Sequence, residues 1–268
     1  MLRAHATVSP WLPLLEPHLG DLVLLGGRAF ELYHLAMMER RAPSHPEAWT
    51  FWGVEKSGSY PPGLAEHLLL QGFRKRTSDA PNAFPGPAFY RADLGWTQFL
   101  CPKTRGHQKP SARGIGAVPE AYVHLELEEP HPVEVTYLGK PYSLQIPSAG
   151  RFALAHALRL PSTDKTPSEG LYAAARSLGW LLELLARNKE LEEEALGDLL
   201  EVRPPSLLRE FQERLKLHGP GSALWSSALG LLDPIASEVK PVALESWYWK
   251  FLPKLAKLEE ERRRPDAD

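Results

Sequence analysis

The chain is short of cysteine, asparagine and methionine. Cys101 is the one cysteine among 268 residues, which excludes an internal disulfide and a multi-cysteine zinc knuckle. Asparagine occurs only as Asn82 and Asn188, and methionine three times, whereas proline reaches 26 residues, roughly double its ordinary share. Such a composition suits a thermally tolerant protein, and equally a genome of biased base content. An excess of one charge is also missing. Thirty-one basic residues stand against 33 acidic ones, excluding a globally basic coat for nucleic acid while leaving local patches open. No uninterrupted apolar run approaches the ~18 residues of a membrane-spanning helix. Glu16, Asp21 and the prolines around them make a poor secretory signal, so the expected location is cytoplasmic, away from membranes.

What is present describes a soluble globule. Hydrophobic residues make up 43% and charged residues 24%, enough to build a core without staples. No internal repeat or long low-complexity linker is visible. The texture changes near residue 150, from short segments rich in Gly, Pro and aromatics to long helical patterns, which predicts domains at 1–148 and 149–268.

In the first half, the apolar run Asp21–Leu25 ends in Gly26-Gly27, the pattern of a buried strand and a turn. Arg28–Arg41 carries a helical apolar stripe. Trp49–Val54 is aromatic and β-leaning, and Pro61-Pro62 open a helix that Gly72 closes. Strands are expected at Phe73–Arg76, Ala88–Arg91 and Trp96–Cys101, and a hairpin from Val133–Tyr137 and Tyr142–Ile146 around Leu138-Gly139-Lys140-Pro141. In the second half, Ala149–Leu160, Ser168–Arg187, Leu191–Leu200, Pro205–Leu217 and Val242–Arg264 are helical, with a kink expected at Pro253.

The run Leu24-Leu25-Gly26-Gly27-Arg28-Ala29-Phe30-Glu31-Leu32-Tyr33 resembles the opening of the polymerase-beta-like nucleotidyltransferase superfamily, and within it an uncharacterised bacterial family. Leu64–Leu68 through Gly72-Phe73, Trp96–Pro102 with Arg105-Gly106, and Gln145–Pro147 through Phe152–His156 are similar to later elements of that family. The resemblance covers roughly residues 20–200 as a pattern of elements, each motif alone being weak. It implies an α+β fold: a nucleotidyltransferase-like mixed sheet with flanking helices, followed by an α-helical C-terminal domain. It also implies an ancestral transfer of a nucleoside monophosphate from an NTP to an acceptor, using Mg²⁺. Relatives of this kind occur in toxin–antitoxin and phage-defence systems.

A glycine turn at a helix N-terminus lets backbone N–H groups approach phosphates, a role open to Gly26, Gly27 and Arg28; a tight strand-to-helix turn requires the same glycines. The resemblance also places two metal-binding carboxylates on the second strand, two residues apart, and a third on the neighbouring central strand. The corresponding positions hold Trp52, Val54 and, near the third, Thr97 or Gln98, none of which is an acid. The bend is therefore expected to face an indole and an isopropyl group. Glu47 and Glu55 flank the second strand, about 26 Å apart if extended, too far to share an ion. Glu55 with Asp93 is the remaining pair of candidate catalytic acids if activity survives. The family's helical-domain lysine corresponds to His156, and its Lys-Asp pair to Ser168-Glu169. The expectation is a fold that has lost its chemistry, with no cofactor; Mg²⁺ and an NTP belong to the active alternative.

Other patterns were weighed by their chemistry. His124, Glu126 and Glu128 would share a face and hold a metal on a strand, but Pro119-Glu120 opens the segment like a helix, which separates them. Cys101 reads as a small buried residue. The loop from Lys103 through Arg105 and Lys109 to Arg113 holds four cations and no acid, and with Arg74, Lys75 and Arg76 predicts a basic patch for nucleic acid or phosphate; a solvated loop fits as well. Glu190, Glu192, Glu193, Glu194, Asp198 and Glu201 form an acidic helical face. Leu244, Trp247, Tyr248, Phe251, Leu252, Leu255 and Leu258 form an apolar stripe that docks within its own bundle or, alternatively, on a protein partner or second copy. Three functions follow: a non-catalytic binding or scaffold subunit, an active Mg²⁺-dependent nucleotidyltransferase, or a nucleic-acid-binding module.

Overall fold

The computed structural model describes residues 9–38, 49–54, 63–76, 88–103, 118–162, 178–179, 181–220, 222 and 241–263. Two compact units divide the chain, Met1–Pro147 and Ser148–Asp268, one residue earlier than the expected boundary. The first is α+β and the described part of the second is helical. No described helix is long and apolar enough to cross a membrane.

The first unit is built on an eight-stranded mixed sheet. Its strands are β1 (Val23–Leu25), β2 (Trp49–Gly53), β3 (Arg74–Arg76), β4 (Ala88–Arg91), β5 (Gly95–Pro102), β6 (Val118–Glu120), β7 (His131–Tyr137) and β8 (Lys140–Ile146). Seven of them follow the order β3-β4-β5-β2-β1-β8-β7, and β6 lies beside β5. β2 runs antiparallel to β1 and parallel to β5, with Leu24 opposite Trp52 and Phe51 opposite Gln98. β4 occupies one edge of β5 at residues 95–97 and β6 pairs with residues 100–102. Two short strands thus flank different stretches of one long one.

Helices α1 (Leu12–Leu15), α2 (Gly26–Met38), α3 (Leu64–Leu70) and α4 (Val123–Leu127) complete the unit. α2 starts at the residue after β1 with no linker, because Gly26 at φ +64° turns the chain in one step. The Tyr33 hydroxyl then donates to the Pro147 carbonyl, tying α2 to the end of β8. α3 is shorter than the expected Pro61–Gln71 helix: Gly63, at φ +81°, precedes its first turn, and Pro61 and Pro62 lie outside the described residues. The β7–β8 turn is also tighter than expected. Leu138 and Gly139 take positive φ of 51° and 79°, the geometry of a two-residue hairpin turn, so Lys140 and Pro141 extend β8. Pro119 does not open a helix; it sits in the short strand β6, where an edge position tolerates its missing N–H, and the helix begins at Val123.

In the second unit, α5 (Ala149–Arg159), α6 (181–187), α7 (Lys189–Glu201), α8 (Ser206–His218) and α9 (Pro241–Arg263) are described. α5 is buried from Ala149 to Leu158, and its small residues allow close packing on α7. A Cβ on Gly150 would lie 2.3 Å from the Ala195 carbonyl oxygen, and the Gly150 N–H donates to Asp198 at 2.9 Å. Asn188 caps α7 by accepting from the Leu191 N–H. α9 continues through Pro253 for 23 residues. Pro253 is exposed, so the carbonyl one turn earlier can turn to water instead of to a neighbour.

Candidate functional site

The β1–α2 bend is the place where the sequence leaves open either a phosphate site or a tight strand-to-helix turn. Gly26 is half-buried and Gly27 buried. A Cβ on Gly26 would meet the Phe51 ring at 3.3 Å, so glycine serves both the positive φ and the close approach of β2. Arg28 folds along its own helix, 3.5 Å from Glu31, with only 17% of its side chain exposed.

The two faces of β2 decide what the bend can do. Phe51 and Gly53 point to the face covered by α4, where Val23, Leu25, Phe51, Val123 and Leu127 form one buried cluster and Leu100 packs against it. A Cβ on Gly53 would fall 2.4 Å from a Leu127 methyl carbon. Trp52 and Val54 point to the opposite face and are 0% and 2% exposed. The expected lining of indole and isopropyl is therefore displaced by one residue. The bend meets a phenyl ring, because a one-residue change of register exchanges the faces of a strand.

On β5, Thr97 lies on the Trp52 face and Gln98 on the Phe51 face, both fully buried. Thr97 donates its hydroxyl proton to the Thr50 carbonyl at 2.9 Å, which places it in the cross-strand scaffold. Asp93 is held by Arg91 through two bonds of 2.7 Å, and this guanidinium keeps the carboxyl below its usual range. It sits in the turn before β5, whereas Val54, at the other end of β2, bonds Leu100 at 2.9 Å. Five residues of strand, roughly 17 Å, separate Leu100 from Gly95, and Asp93 lies beyond it in the turn. Glu55 lies outside the described residues. Among those described, no group of three or more His, Cys, Asp or Glu side chains is placed to hold a metal. His124 is exposed and Glu126 buried on the same short helix, and Glu128, just past its end, is exposed.

The basic residues separate into two places. Arg74, Lys75 and Arg76 are exposed on β3, at one edge of the sheet. Lys103 is exposed just past the far end of β5, about 23 Å along the extended chain from Trp96. The expected single patch is thus not formed by these four, and Arg105, Lys109 and Arg113 lie outside the described residues. Beside β3 stands a feature the sequence reading missed. Arg74 is opposite Tyr90, and Tyr90 is opposite Trp96, so three neighbouring strands place these side chains in one row on one face. The Tyr90 and Trp96 ring centroids are 4.8 Å apart, both rings are half-buried, and the Arg76 guanidinium lies over the indole at 5.7 Å. Period-2 alternation of Arg74 and Arg76 was visible in the sequence; the register that joins them to the rings was not.

Elsewhere the structure redistributes the expected groups. Cys101 is fully buried, and burial pushes its thiol up, away from the thiolate a nucleophile needs. The acidic face of α7 divides: Glu190, Glu193, Glu194 and Glu201 are exposed, but Glu192 is buried and paired with Lys254 at 2.6 Å, and Asp198 accepts from Gly150. The α9 stripe packs inside its own unit, where the Tyr248 hydroxyl donates to the Leu215 carbonyl and Phe251 and Leu255 are buried. The Leu244 side chain and residues Ser168 and Glu169 lie outside the described set. His156 is buried in α5, its ring 4.3 Å from that of Phe152. Comparison with known proteins returns no matching family model, no similar curated protein and no matching solved structure.

Proposed function

We propose that the chain is a non-catalytic binding or scaffold protein built on a degenerate nucleotidyltransferase-like core. Support for the core comes from β1 turning directly into α2 at Gly26, from β2 lying between β1 and β5, and from a helical unit following the sheet. The observation that carries the loss of catalysis is the bend itself. Phosphoryl chemistry there requires carboxylates that clamp Mg²⁺ at about 2.0–2.1 Å. The β2 residue that meets the bend is Phe51, on the same face as Gly53 and sealed beneath Val123 and Leu127, and their β5 neighbours are Gln98 and Leu100. A divalent ion has no anionic ligand among these groups. The active alternative, through Glu55 and Asp93, meets a physical obstacle: Asp93 is already neutralised by Arg91 at the opposite end of β5 from Val54.

Titration calorimetry of the full chain with ATP, CTP, GTP and UTP, with and without Mg²⁺, tests this reading. The expected result is no Mg²⁺-dependent heat. Mg²⁺-dependent binding, or transfer of a labelled nucleoside monophosphate onto RNA or protein, would return the chain to the active transferases.

A further inference from the structure

We propose that the face formed by Arg74, Arg76, Tyr90 and Trp96 binds single-stranded nucleic acid by base stacking. This goes beyond the preceding proposal, since such a face would act whether or not the core transfers nucleotides. α4 covers Phe51 and Leu100, at one end of this sheet face, while Tyr90 and Trp96 at the other end stay half-exposed. Two aromatic rings held side by side on rigid strands make a platform that any base can stack on, and the sheet has already met the ordering cost.

Charge supplies the second part. Arg74 and Arg76 are two residues apart on an exposed edge strand, about 6.6 Å between Cα atoms, a spacing commensurate with successive phosphates of an extended strand. Arg76 already lies over the indole, so a stacking base would displace the guanidinium toward its own edge, where it carries its phosphate. The nearby acid, Asp93, is occupied by Arg91 and does not cancel the patch. Edge protection alone explains outward-pointing cations on β3, but not the aromatic pair next to them. A duplex buries the faces of its bases, so the match is to a single strand; an acidic peptide would use the arginines without needing the rings.

Fluorescence anisotropy of a labelled dodecathymidylate with the full chain tests the proposal. Binding is expected to weaken with salt and to exceed that of the matching dT–dA duplex. Tyr90→Ala should weaken binding about tenfold, with Tyr90→Phe restoring it. The Arg74→Ala/Arg76→Ala pair should flatten the log–log salt slope by about 1.4. No binding at low salt, equal affinity for duplex, indifference to Tyr90→Ala, or competition by polyglutamate as strong as by unlabelled oligonucleotide would each overturn it. If Tyr90→Ala fails to fold, the exposed arginine pair decides: an unchanged salt slope overturns the proposal.

Discussion

Gly26 shows how one residue serves conformation and packing together. Its φ of +64° is a region where an L side chain costs roughly 1 kcal/mol, and its missing Cβ leaves space for Phe51. Gly26→Ala is expected to lower stability by about 1–2 kcal/mol, read from urea unfolding; no change would mean the bend is less constrained than its geometry indicates. His18 carries a pH dependence. Burial first, then the neighbouring His67, lowers its pKa from 6.5, with Asp21 opposing. The folded state therefore disfavours the imidazolium. The contribution is full above pH 6.5, where both states are neutral, and is lost as pH falls below 6.5 toward the folded pKa. The urea midpoint should decline over that range, and His18→Gln should flatten part of the decline. The neighbouring His67 ring nitrogen Nε2 lies 2.6 Å from the Leu14 carbonyl, a contact between α3 and α1.

At the scale of elements, sequence periodicity located most strands and helices, because apolar alternation and helical stripes are local consequences of burial. Its errors have local causes too. A diproline suggested a longer α3 than Gly63 permits, and Pro119 suggested a helix where an edge strand accepts proline instead. The α5–α7 contact was not legible at all. Nothing in Ala149-Gly150-Arg151 announces that Gly150 touches the Ala195 backbone, since that contact joins residues 45 positions apart. A methyl group there would meet backbone, which cannot swing aside as a side chain can. Gly150→Ala is accordingly expected to cost about 1–3 kcal/mol by forcing the helices apart, measurable as a lowered urea midpoint, whereas Gly197→Ala, facing open space on α7, should be neutral or slightly stabilising.

For the whole molecule, each unit encloses its own buried apolar groups, from Leu24 and Phe99 in the first to Phe152 and Phe211 in the second. Residues 1–147 expressed alone should therefore unfold cooperatively in urea; a broad, non-cooperative transition would show that the sheet needs the helical unit to fold. Composition and periodicity sufficed to establish the change of texture near residue 150 and a glycine bend between strand and helix. These follow from the chain's own order, which needs no partner to be read. The face of β2 turned to the bend, the separation of Lys103 from Arg74–Arg76, and the row joining Arg74, Tyr90 and Trp96 were decided only by strand register. Register is set by which distant strands bury which faces together, and that free energy belongs to the assembled sheet, not to any segment of it.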